Sequence, residues 1–368
     1  MIDTPEALRA LVAQARRCSS VALDTEFVWE STYYPKLGLV QLGLEDGACH
    51  LIDTVALPDL TPLAEVLAAP DLTKILHDAP QDLTILRRVT GASPRSIFDT
   101  RCAAGLAGLT STSSLLQLAT TVLGVDLDKT ESRTNWLQRP LTAEQVHYAL
   151  EDVRCLPPLR DALMERVHRL GRESWLREEL LALDDPRSYE ERDPRQQYQR
   201  IKGAGRATPR ELAILRELAA WREEEARLAD RPRGRILSDE VLLHLALRRP
   251  RTLEALAPMR LARRYRERIL ELVARGLQVP AEELPSRRPR TRPGDRALLE
   301  VRLRRSLDRL RDRSDAEEID APFVATRAEV HSLVSDGASA DPKCHRILRG
   351  WRGEFIGNEL LSLLAGEV

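Results

Sequence analysis

Cysteine is scarce in this sequence: five in 368 residues, at positions 18, 49, 102, 155 and 344. They are odd in number and widely separated, which argues against a disulfide framework and against a CxxC-type zinc site. A reducing cytoplasm is the compartment this usage predicts. Long hydrophobic runs are missing as well. No apolar stretch reaches the ~20 residues a membrane-spanning helix needs, so no membrane association is expected. Met1-Ile2-Asp3-Thr4-Pro5-Glu6 lacks the basic start and apolar core of a secretory signal. Net charge is also nearly absent, at −1. What is present, 43% hydrophobic and 31% charged residues, suits a soluble globular chain long enough for two or three domains.

The small net charge hides an asymmetry. Residues 1–205 carry 23 basic and 30 acidic side chains, residues 206–313 carry 28 and 17, and residues 314–368 carry 5 and 10. A strongly basic middle between two acidic parts is suited to hold a polyanion. A helical surface solvated by arginine would give the same count.

The chain is organised around Val21-Ala22-Leu23-Asp24-Thr25-Glu26-Phe27. The pattern predicts a short buried strand, with Ala22, Asp24 and Glu26 on one face and Val21, Leu23, Thr25 and Phe27 on the other. Two acids on one face of an apolar strand repel each other and lose hydration, which is costly without a compensating cation or donor. A surface strand with a polar face is the alternative.

Before this strand, Thr4 and Pro5 open an amphipathic helix over 4–17. After it, 37–44 and 48–52 read as strands, 61–69 as helix and 74–77 as a short strand, which indicates an α/β domain with a mixed sheet. Pro80 starts a further helix, with Asp82 in its first turn, and Asp99 is placed to cap a helix over 100–109. Thr142-Ala143-Glu144-Gln145 is a capping box that opens the helix carrying His147, Tyr148 and Asp152. Pro157-Pro158 is expected to end or kink it. Residues 185–207 read as a linker, 208–278 as a string of helices, and the basic, proline-rich 285–295 as a second linker before a further helical unit over 296–368.

Asp24, Glu26, Asp82 and Asp152 are therefore four acids on three segments, with Tyr148 one helical turn before the last. Hard divalent cations take oxygen ligands, and a pair of them can hydrolyse a phosphodiester. Asp24-Thr25-Glu26, Asp82 and Tyr148-Ala149-Leu150-Glu151-Asp152 resemble the three motifs of the DEDD 3′→5′ exonucleases, in their tyrosine-containing branch. The flanks are similar to bacterial ribonuclease D: Tyr33-Tyr34-Pro35-Lys36-Leu37-Gly38-Leu39-Val40-Gln41, and the stretch from Lys129 to Leu141. Residues 208–278 resemble an HRDC domain, and 296–368 a more divergent copy.

The resemblance covers nearly the whole chain and implies an RNase H-like exonuclease domain (1–184), a linker (185–207), an HRDC domain (208–284), a basic linker (285–295) and a second HRDC-like domain (296–368). It implies that Asp24, Glu26, Asp82 and Asp152 hold two divalent ions, Mg²⁺ or Mn²⁺, and that Tyr148 orients the attacking water or the phosphate. The implied reaction is stepwise release of 5′-mononucleotides from structured RNA with a single-stranded 3′ end, tRNA precursors among them. His147 occupies the position used by the histidine-containing branch. Helix geometry favours Tyr148, about 40° from Asp152 around the axis against about 140° for His147. Arg231, Arg233, Arg235, Arg248, Arg249, Arg263 and Arg264 are candidate phosphate contacts, with Arg251, Arg260, Arg266 and Arg268 nearby. A monomer is expected. A DNA exonuclease of the same superfamily and a non-catalytic RNA-binding protein are the competing readings.

Overall fold

The computed structural model describes residues 1–125, 134–259, 261–286 and 293–366. The chain divides into two compact units, one of residues 1–27, 37–189 and 291–368, the other of residues 28–36 and 190–290.

The first unit is built on a five-stranded mixed sheet in the order β3-β2-β1-β4-β5. Its strands are β1 (Ser20–Val28), β2 (Lys36–Gly43), β3 (Cys49–Asp53), β4 (Thr73–Leu76) and β5 (Ile97–Asp99). β1 runs parallel to β4 and β4 to β5, while β3 is antiparallel to β2. Period-two alternation sends successive side chains of β1 to opposite faces. Val21 and Leu23 join Leu8 and Leu11 of the Pro5–Ala15 helix and Leu83 and Leu86 of the Pro80–Thr90 helix. Ala22 joins Val153 and Leu156 of the Ala143–Arg169 helix on the other face.

That long helix begins at the expected capping box, where Thr142 and Gln145 exchange side-chain and backbone hydrogen bonds. Of the two outcomes expected at Pro157-Pro158, an end or a kink, the helix does not end there; it runs through both to Arg169. Each proline removes one donor, at about 3 kcal/mol or more. Burial of Leu156, Leu159, Leu163 and Val167, about 1.5–3 kcal/mol each, offsets that cost. β5, which the sequence reading left out, is only three residues long, too short to display alternation.

The C-terminal helices belong to this same unit. Leu303, Leu310, Val330, Leu333 and Trp351 share one core with Ala22, Val153 and Leu159. Trp351 stacks on Trp175 with ring centroids 4.9 Å apart, and its Nε1 donates to Glu179 at 2.8 Å. A Cβ on Gly105 would collide with Phe323 at 2.5 Å, so the two segments pack with no room for a side chain there.

The second unit is helical. Thr208 caps the Pro209–Leu228 helix through a capping box with Glu211. Leu212, Leu215, Leu218 and Trp221 pack with Ile269, Leu272 and Val273 of the Arg263–Gln278 helix. The expected linker over 185–207 contains three short 3₁₀ turns, Pro186–Tyr189, Pro194–Arg200 and Ala204–Arg206. Among the described residues no helix is long and apolar enough to cross a membrane, and the five cysteines are free.

Candidate active site

The alternation that buries Val21 and Leu23 turns Asp24 and Glu26 toward the long helix. Asp152 meets them there. One carboxylate oxygen from each of Asp24, Glu26 and Asp152 lies within 4.8 Å of the others. Tyr148, one turn earlier, brings its hydroxyl beside Asp152, close enough to lower that carboxyl's pKa. Trp136, 1% exposed, packs at 6.1 Å between ring centroids and limits where the phenol can go. His147 is exposed on the same helix.

Asp82 arrives from another direction and is not part of the compact trio. It sits in the first turn of the Pro80–Thr90 helix, buried, and accepts a hydrogen bond from the Thr25 hydroxyl. Thr25 points away from Asp24 and Glu26, so β1 touches all of the acidic segments by using both of its faces. Asp99 fixes the start of the Asp82 helix. Beyond capping its own helix at Arg101 N (2.8 Å), it accepts from Asp78 N at 3.2 Å and Ala79 N at 3.0 Å. Asp78 holds a left-handed φ of 57° and pairs with Arg101 at 2.5 Å. His77 Nδ1 lies 2.8 Å from Thr100 Oγ1 and Nε2 lies 3.1 Å from Ser113 O. Burial pushes its pKa down to about 4, so it is neutral at pH 7. Nε2–H then donates to the carbonyl, and Nδ1 accepts from Thr100.

The acids cannot all ionise together without a counter-charge. Burial, then Asp82, Asp152 and Glu26, push Asp24 well above the usual carboxylate range. Burial, then Asp152 and Asp82, raise Glu26 to about 9. Burial raises Asp82 to about 7, against the stabilising Thr25 hydroxyl, and Asp152 to about 6, against the lowering influence of the nearby Tyr148 hydroxyl. Burial followed by the charges of Asp152, Glu26 and Asp24 pushes Tyr148 far above its ordinary 10. The trio offers oxygen donors alone, the set preferred by Mg²⁺ and Mn²⁺ over softer metals. The residues therefore fit hard divalent ions.

The candidate phosphate contacts lie in the helical unit. Arg231, Arg235, Arg248, Arg263 and Arg264 are exposed. Two others are engaged internally: Arg233 Nη1 is 3.6 Å from Glu223, and Arg249 Nη2 is 2.8 Å from Glu211. Arg264 lies over the Tyr265 ring at 4.7 Å. Arg266 donates to Leu261 O and Arg268 to Glu271. Arg260, residues 129–133 of the Lys129–Leu141 stretch, and the arginines of 287–292 lie outside the described residues. The sequence reading missed Thr25 as the partner of Asp82; a β-branched hydroxyl between two acids was the available signal.

Comparison with known proteins follows the same division. Residues 1–168 match the family model for a 3′-5′ exonuclease, and residues 211–273 match that for an HRDC domain. Together with the acidic cluster, this sets the class: a 3′→5′ exonuclease domain followed by an HRDC domain and a helical C-terminal region. A ribonuclease D of Desulfotalea psychrophila is 40% identical over 97% of this chain and 96% of its own, and one of Pseudomonas paraeruginosa is 38% identical over 94% and 92%. The crystal structure of Escherichia coli RNase D, described as an exoribonuclease involved in structured RNA processing, superposes with a TM-score of 0.89 at 32% identity, covering 100% of this chain and 98% of that one. The chain belongs to the ribonuclease D family, exoribonucleases of the DEDD group that hydrolyse RNA from its 3′ end.

Proposed function

We propose that this exoribonuclease works with two divalent ions held by Asp24, Glu26, Asp82 and Asp152, and trims the 3′ ends of structured RNAs such as tRNA precursors. The convergence of three half-buried carboxylates, whose oxygens lie within 4.8 Å of one another, supports the reading most strongly. Bound there, the ions would neutralise the scissile phosphate and lower the pKa of the attacking water.

The chain's own residues do the positioning. Asp24 and Glu26 are fixed by β1, Asp152 by the long helix, and Asp82 by Thr25 and the Asp99-held helix start. Tyr148 keeps its proton at neutral pH, since its pKa stands far above 10. It therefore donates a hydrogen bond to the water or phosphate and does not abstract a proton. Cleavage at the last phosphodiester yields a 5′-mononucleotide and a shortened 3′-hydroxyl end. The exposed Arg231, Arg235, Arg248, Arg263 and Arg264 would hold the RNA body through its phosphates, independent of sequence. Arg233 and Arg249 would contribute less, being paired with Glu223 and Glu211.

We further read 1–184 as the catalytic domain, 185–207 as linker, 208–284 as HRDC domain, 285–295 as basic linker and 296–368 as a divergent HRDC-like unit that braces the catalytic fold. The acting form is read as a cytoplasmic monomer. The test is digestion of a 3′-tailed tRNA and a matched DNA strand with Mg²⁺, with Mn²⁺ and with chelator. Mononucleotides released from RNA, only with metal, are the expected result. Equal release from DNA would favour the broader nuclease reading, and release in chelator would remove the metal from the account.

A further inference from the structure

Gln41 is an unexplained residue of the first unit. It lies in the middle of β2, in the apolar run Leu39-Val40-Gln41-Leu42, and is 0% exposed. Neither Nε2 nor Oε1 has a hydrogen-bond partner. Leaving a buried amide unpaired costs about 1–3 kcal/mol. An apolar side chain of the same shape would serve a purely structural role better.

Its position in the sheet suggests what it is for. β1 and β2 are neighbours joined by residues 29–35, a connection too short for a parallel crossover, so they pair antiparallel. The register follows from Gly43. A Cβ there would lie 3.2 Å from Ala22 Cβ and 3.5 Å from the Val153 carbonyl oxygen. Gly43 therefore faces Ala22 directly, beneath the long helix. Two residues back along β2 and two forward along β1, Gln41 faces Asp24 on the same side of the sheet. Facing side chains in an antiparallel pair sit about 4.5–5.5 Å apart at Cβ, within reach of a glutamine amide.

We propose that Gln41 is a positioning residue for Asp24. Its Nε2–H donates to the Asp24 carboxylate when the site is loaded with divalent ions, and fixes which oxygen is presented to them. The inference rests on the metal reading above. It assigns to β2 a role in the site that the acidic residues alone do not supply. The physical logic is general: partners that orient a metal-ligating carboxylate are worth about 10–100-fold in metal affinity.

The test compares wild type with Gln41→Met, which keeps the length and removes the amide, by Mn²⁺ titration calorimetry and by melting with and without Mn²⁺. The expected result is about ten-fold weaker Mn²⁺ binding and a smaller Mn²⁺-induced rise in Tm, with the metal-free Tm unchanged or raised. A merely structural glutamine would lower the metal-free Tm and leave Mn²⁺ affinity alone; that outcome overturns the proposal. If the wild type binds no Mn²⁺, the metal reading falls and this inference with it. If the wild type binds and Gln41→Met binds equally well, only the role of Gln41 falls. Should Gln41→Met not fold, a structure of the wild-type chain with Mn²⁺ decides alone: Nε2 within about 3 Å of an Asp24 oxygen supports the proposal, and an amide turned elsewhere refutes it.

Discussion

Tyr148 and His147 are adjacent on one helix and differ in what they can touch. Tyr148 is held between Trp136 and Asp152, while His147 faces solvent. Replacing Tyr148 by Phe removes the one proton the side chain can donate and leaves its packing. We expect Tyr148→Phe to lose most activity in a nucleotide-release assay, about 10²-fold or more as for loss of a positioned hydrogen-bond donor, and His147→Ala to retain most of it. The reverse pattern would move the chain to the histidine-containing branch. The acids make a second prediction. Unfolded carboxylates titrate near about 4, whereas burial raises Asp152 to about 6, Asp82 to about 7 and Glu26 to about 9. At these sites the folded protein binds more protons than the unfolded chain between pH 4 and 9; His77, neutral in the fold, offsets only one of them below about 6.5, so stability falls as pH rises. Metal-free protein should melt at a higher temperature at pH 5 than at pH 8. Saturating Mg²⁺ should narrow the difference, because the ion compensates the ionised site. A metal-free Tm that rises from pH 5 to 8 would contradict these shifts. At this scale the sequence was informative where a residue obeys a local period. Asp24 and Glu26 follow the strand repeat, and Tyr148 and Asp152 the helix repeat. The Thr25–Asp82 bond joins residues 57 positions apart and obeys no such period.

Among the elements, the long helix connects catalysis to stability. Its first half presents Tyr148 and Asp152, and its second half buries Leu159, Leu163 and Val167 in the core shared with the C-terminal helices. Local rules read its start correctly, through the Thr142 capping box, but the end they allowed at Pro157-Pro158 does not occur. Proline's penalty is local, but the burial that offsets it comes from partners as distant as Leu303 and Leu333. The same packing predicts what truncation does. A chain ending at residue 292 would uncover the face of Ala103, Leu106 and Val167 that the C-terminal helices cover. We expect it to melt at a lower temperature than the full chain, or to aggregate on purification. A truncated chain with the full chain's Tm would show that those helices contribute nothing to the exonuclease fold.

For the molecule as a whole, counting charge singles out a region but not residues. The excess of arginine over 206–313 was visible by counting. Which arginines meet an acid was not, because that depends on Glu223 and Glu211, which only folding brings beside them. If the exposed set holds RNA, the triple variant Arg231→Ala, Arg235→Ala, Arg248→Ala should weaken binding of tRNA. It should also flatten the slope of log affinity against log salt by about one for each lost phosphate contact. An unchanged slope would place the RNA elsewhere.

The most direct test of the account is an anomalous difference map from crystals of the wild-type chain soaked in Mn²⁺. Two peaks bridged by the carboxylates of Asp24, Glu26, Asp82 and Asp152 are the expected result. No peak at these residues, or peaks held by other side chains, would contradict the assignment of the site.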